Sequence, residues 1–152
     1  MFLKMISEQC KDNFLKLAIE LCRADGNFGD AEWEMMRLYG EEAGKPEDEL
    51  TRYYEGLIKQ EQDGEKSSQR DARIRRLIEN IKDNSEERER KIILFELLGL
   101  AYADAEFGKE EKEFIQDIKG SWGIEDGFVK EASLLLDQYM ELQKKITKHV
   151  LG

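Results

Sequence analysis

Apolar residues recur along most of this chain at three- and four-residue steps, the spacing that turns one face of an α-helix toward a core. Phe14, Leu17, Ala18 and Leu21 trace such a face in a first helix running from about Ser7, a predicted N-cap, to Ala24. Met35, Met36, Leu38 and Tyr39 mark a second over about Asp30 to Ala43, with Gly44 just past its end. Pro46, the one proline, suits the first turn of a third helix that carries Leu50, Tyr53, Tyr54, Leu57 and Ile58. The polar stretch from Gln60 to Gln69 contains Gly64 and reads as a loop.

Ile74, Leu77, Ile78 and Ile81 define a fourth helix, and Ser85 is the expected cap of a fifth. That fifth helix is apolar almost all round from Ile92 to Ala101, so it must be surrounded by others and belongs at the centre. Phe114, Ile115 and Ile118 face inward from a sixth, over about Lys109 to Lys119. In the last, from about Glu125 to Val150, Phe128, Ala132, Leu135, Tyr139, Leu142 and Ile146 step by 4, 3, 4, 3 and 4 residues. This seam of period 3.5 is expected to pack onto its own bundle, with pairing against a second copy as the alternative. No segment alternates strictly as a half-buried strand does, so the fold class is all-α: a single-domain bundle of about seven helices over residues 1–152.

The bundle is internally repetitive. Under a shift of 79 residues, Leu21, Ala24, Asp25, Phe28, Gly29, Glu32 and Glu34 fall on Leu100, Ala103, Asp104, Phe107, Gly108, Glu111 and Glu113. Seven of the fourteen positions from 21 to 34 agree, more than two unrelated amphipathic helices should share. Each unit, about 14–44 and 93–123, reads as an apolar helix, an Ala-Asp turn, a Phe-Gly pair and a second helix that opens with acids. The pattern predicts a pseudo-symmetric bundle with the two turns near each other.

Composition narrows the chemistry. A formal charge of -10 opposes binding to a phosphate backbone, so nucleic acid is excluded as a partner and cations or basic protein patches are favoured. Between Lys66 and Lys91 nine basic residues face six acidic ones, which leaves the rest of the chain near -13 (-10 minus +3). Such a face either pairs in cis or docks an acidic protein partner. The apolar start, Met1 to Ile6, is too short for a secretory core, and no stretch approaches the ~20 apolar residues of a membrane span. The expected location is the cytoplasm, with no membrane insertion.

Cys10 and Cys22 lie twelve residues apart on one helix, about 18 Å along its axis, so they cannot form a disulfide. With His149 they do not complete a tetrahedral zinc site. No Ser/His/Asp or Cys/His set and no Gly-rich phosphate loop is present, and a non-enzymatic role is expected. Trp33 and Trp122 lie near the repeated corners, where core or rim positions are expected.

The corners have two readings. In one they only form the fold: Gly26 takes the left-handed position at a helix end, Phe28 and Phe107 fill the space between paired helices, and acids favour the next helix dipole. In the other, Asp25 with Glu32 and Asp104 with Glu111 bring carboxylates from either side of a tight turn toward a hard divalent cation. An EF-hand is absent, because a loop opening at Asp25 has Met36 where a bidentate Glu is needed.

The segments Ala24-Asp25-Gly26-Asn27-Phe28-Gly29 and Ala103-Asp104-Ala105-Glu106-Phe107-Gly108, each between an apolar and an acidic helix, resemble the signature of the TerB-like family of tellurite-resistance proteins. The resemblance covers nearly the whole chain and implies a seven-helix bundle with duplicated halves. It further implies a cytoplasmic bacterial module of stress or metal-ion responses, with Asp25, Glu32, Asp104 and Glu111 as metal ligands for Ca²⁺, Mg²⁺ or Mn²⁺ rather than Zn²⁺. Ala105 stands where the family favours Gly, and Ala31 where an acid is common. The alternative function is a metal-free protein-interaction scaffold, with a homodimer formed through the last helix.

Overall fold

The computed structural model describes residues 1–24, 26, 28–103 and 108–152. Among these residues there are seven α-helices, a short 3₁₀ turn over Leu3–Met5 and no strand. The helices are α1 (Glu8–Arg23), α2 (Asp30–Ala43), α3 (Glu47–Gln62), α4 (Ser67–Asp83), α5 (Glu87–Ala103), α6 (Lys109–Trp122) and α7 (Asp126–Leu151). Ser7 caps α1 as expected, its hydroxyl oxygen accepting the Cys10 N–H at 3.3 Å. The bounds carry the 79-residue offset: α1 and α5 begin at Glu8 and Glu87, and α2 and α6 run from Asp30 and Lys109 to Ala43 and Trp122. Gly44 and Gly123 end this second pair with φ of +75° and +65°, left-handed values that relieve a helix end without a Cβ clash.

α5 takes the central place that its all-round apolarity demands. Ile93, Leu94, Leu97 and Leu98 are fully enclosed, and the helix contacts α1, α2, α6, α7 and the N-terminal turn. Phe14, Leu17, Ala18, Ile19 and Leu21 give α1 a comparable buried face. Each such Leu or Ile contributes roughly 1.5–3 kcal/mol by leaving water. Cys10 and Cys22 are buried free thiols, and burial pushes the Cys10 thiol up.

Two polar tethers fix how α1 and α5 run. The Ser7 N–H donates to a Glu89 carboxylate oxygen at 2.9 Å, joining their N-terminal ends. Seven residues further along each helix, Tyr39 packs its ring on Phe14 with centroids 5.5 Å apart and donates its hydroxyl to the Glu96 carbonyl at 2.9 Å. α1 and α5 therefore run in the same direction.

Charge is also built into the interior. Glu20 on α1 is fully enclosed and accepts from Arg73 Nε at 3.0 Å, while Arg73 also donates to Gln60 at 3.0 Å and pairs with Glu65. Arg23, 8% exposed, donates to Glu61 at 3.0 Å, so one cluster ties α1 to α3 and α4. The N-terminal segment docks with Leu3 and Ile6 buried. There Glu96, 4% exposed, accepts the Phe2 N–H at 2.7 Å and lies 2.9 Å from the Met1 ammonium.

Four expectations need correction. The loop expected over 60–69 is shorter: α3 continues to Gln62 and α4 starts at Ser67, which leaves 63–66 as the connection, because Gln, Glu and Lys are good helix formers whatever their polarity. Pro46 precedes the third helix rather than sitting in its first turn. Ser85 turns back, its hydroxyl donating to the Ile81 carbonyl at the end of α4, and the Glu86 N–H is met instead by Glu89 at 3.3 Å. The seam of α7 leaves the bundle: Ala132 is buried and Phe128 half-buried, but Leu135, Tyr139, Leu142 and Ile146 are 49, 44, 55 and 53% exposed.

The reason for this departure is register. Lys91 lies over the Phe128 ring at 5.8 Å and Gly99 lies beside Leu136, both pairs 37 residues apart, so α7 runs parallel to α5. α5 ends at Ala103, level with Met140 (103 plus 37), and every residue from Glu141 onward is exposed.

Candidate functional site

Among the described residues, the two corners open their second helices alike. At the first, α1 ends at Arg23, the Gly26 N–H bonds to the Arg23 carbonyl at 3.0 Å, and Gly26 has the left-handed φ of +75° expected there. Phe28 then packs against Trp33 and Tyr54 with ring centroids 5.5 and 5.1 Å away, closing the space between α2 and α3. Gly29 is the extended residue before α2, and its carbonyl accepts the Trp33 N–H at 3.0 Å. At the second corner Gly108 does the same for α6, accepting the Lys112 N–H at 3.0 Å. Phe107 lies outside the described residues.

Of the four expected carboxylates, Asp25 and Asp104 lie outside the described residues. Glu32 and Glu111 occupy the same place in the first turns of α2 and α6, and both are only 3% exposed. The Gly108 N–H donates to a Glu111 carboxylate oxygen at 3.5 Å, the contact a glutamate makes at a helix start. As donors, two enclosed carboxylates suit a hard cation by their chemistry. Among the described residues, no group of three or more His, Cys, Asp or Glu is arranged to hold a metal.

Three of the nine basic residues from Lys66 to Lys91 are engaged within the chain. Arg73 turns inward to Glu20, Arg90 donates to the Ser85 carbonyl, and Lys91 pairs with Glu87 at 3.2 Å. His149, the single imidazole, is exposed in the last turn of α7. Trp122 is 6% exposed with its indole N–H donating to the Ile78 carbonyl at 3.0 Å, and Trp33 is half-buried, so they hold core and rim positions.

One surface escaped the sequence pattern. Phe2, Met5, Ile92, Phe95 and Phe128 line an open apolar groove of about 550 Å³, with Arg88 and Lys91 at its edge. Phe2 and Phe95 meet edge to face at 6.0 Å. The signal was available in Met1 to Ile6, whose apolarity exceeds what Leu3 and Ile6 alone bury. Among the described residues, no helix is long and apolar enough to cross a membrane.

Comparison with curated proteins and with solved structures gives no match. The family model described as tellurite resistance protein TerB matches residues 11–134, from the second turn of α1 through the first third of α7. The match takes in both corners and 124 of the 152 residues (134 minus 11 plus 1), and the chain belongs to the TerB family.

Proposed function

We propose that this chain is a non-catalytic, cytoplasmic TerB module that binds one hard divalent cation through its paired corners, in a bacterial tellurite-resistance or stress setting. Asp25 and Glu32 supply one half of the site, and Asp104 and Glu111 the other. The observation that carries this reading is the burial of Glu32 and Glu111, both 3% exposed at equivalent positions where first-turn acids are normally solvated. The shared direction of α1 and α5, which lead into the two corners, adds support.

Titration calorimetry with Ca²⁺, Mg²⁺, Mn²⁺ and Zn²⁺ tests it, on the wild type and on Asp25→Asn/Asp104→Asn. The expected result is saturable heat with Ca²⁺, Mg²⁺ or Mn²⁺ that vanishes in the variant. No heat at ~1 mM metal, a concentration at which even weak calcium modules load, overturns the proposal.

A second reading, a metal-free interaction scaffold, is favoured by the apolar groove at Phe95 and Phe128. Substituting Phe95→Glu would abolish partner binding under that reading and leave any metal titration unchanged.

A further inference from the structure

The exposed half of α7 has the features of a helix made to pair with itself. From Leu135 to Leu151 it runs about 25 Å, more than four turns. Over the last third of α7 every residue is exposed, and a short helix without tertiary contact is only marginally stable in water. Leu135, Tyr139, Leu142 and Ile146 keep the 3.5-residue period of a two-helix seam, yet all are about half exposed. The family match stops at residue 134, just before this stripe begins.

We propose that the occupant of the stripe is the same stripe of a second copy, packed antiparallel. Layers then form between Leu135 and Ile146 of the second copy and between Tyr139 and Leu142 of the second copy, and each recurs by symmetry. The residue numbers in both pairs sum to 281, so one register satisfies all four layers (135 plus 146, 139 plus 142).

The flanks select the orientation. One side of the stripe carries Glu131 and Glu141 followed by Lys145 and Lys148, and the other carries Leu136, Gln143 and Val150. Antiparallel helices face like flank with like flank, so the basic end meets the acidic end: Lys148 comes within about 3 Å of the level of Glu131 of the second copy and Lys145 midway between its Glu131 and Glu141, while Glu141 lies beside its own counterpart. A parallel pair sets the charged flank against the uncharged one and leaves that complementarity unused.

Sedimentation velocity across a dilution series tests the proposal, with thermal melts to show that the variants stay folded. The wild type is expected to dimerise, and Leu142→Glu/Ile146→Glu to raise the dissociation constant at least about 30-fold with an unchanged melt. Orientation is read by oxidising single-cysteine variants, since the two native thiols are buried. A mixture of Leu135→Cys and Ile146→Cys proteins is expected to form the mixed disulfide, and Ile146→Cys alone is not. A monomeric wild type, a dimer untouched by the two glutamates, or ready cross-linking of Ile146→Cys alone each overturns it. A monomer would leave the stripe to a different protein.

Discussion

The hydroxyl of Tyr39 donates to the backbone carbonyl of Glu96 across 2.9 Å, tying the middle of α2 to the middle of the central helix in a buried setting. The same ring rests on Phe14, so a single side chain joins α1, α2 and α5. Removing the hydroxyl in Tyr39→Phe keeps the packing and deletes the bond, and should lower unfolding free energy by about 1 kcal/mol. Urea denaturation near neutral pH measures it.

Burial, reinforced by the nearby Glu96 charge, holds the Tyr39 phenol far above its ordinary value of 10.0, and burial followed by Glu20 pushes Tyr53 up to about 12. In both the folded state favours the neutral phenol. Their contribution is whole below the unfolded value near 10 and is lost as pH rises through the folded values. Stability should hold to about pH 10 and then fall. Urea midpoints for Tyr39→Phe/Tyr53→Phe should fall less steeply than the wild type over that range, which separates the phenols from the lysines titrating alongside.

Glu20 is an enclosed carboxylate whose removal takes from Arg73, 14% exposed, its fully buried partner, leaving it Gln60 and the partly exposed Glu65, and leaves Arg23 with Glu61. Glu20→Ala is expected to cost about 3 kcal/mol, and Glu20→Leu/Arg73→Met to regain most of it, because breaking a buried ion pair costs more than replacing it whole. Equal losses in the single and double variants would count against this account.

Glycines in this chain should answer oppositely to alanine. Gly44→Ala and Gly123→Ala force a Cβ into left-handed backbone and should each cost about 1 kcal/mol. Gly56, inside α3 with open space where a Cβ would stand, should gain about 0.5–1 kcal/mol on the same change. Thermal melts of the three single variants decide the signs.

The helix starts and stops were legible where single residues act alone. Ser7 and Gly44 punctuate by their own chemistry, and the all-round apolarity of α5 sends most of it inside, with Ile92 and Phe95 left at the groove. What could not be read depends on partners distant in sequence. Nothing local marks Glu20 as enclosed, since its burial depends on Arg73, 53 residues later, being brought against it. Ser85 had two backbones within reach, and the α4 carbonyl won. The α7 seam has a clear period, but whether the bundle covers it is set by where α5 stops. At the corners the acids of the α2 and α6 starts were marked by the repeat, while their enclosure was not.

The unequal corners carry an optical consequence. Trp33 stands next to Glu32 and against Phe28, whereas the equivalent position beside Glu111 is Lys112. Indole emission from Trp33 will register events at the first corner, and no tryptophan stands at the equivalent place of the second. Trp122, bonded to the Ile78 carbonyl in a dry setting, contributes a steady blue-shifted background that collapses only when α4 and α6 part.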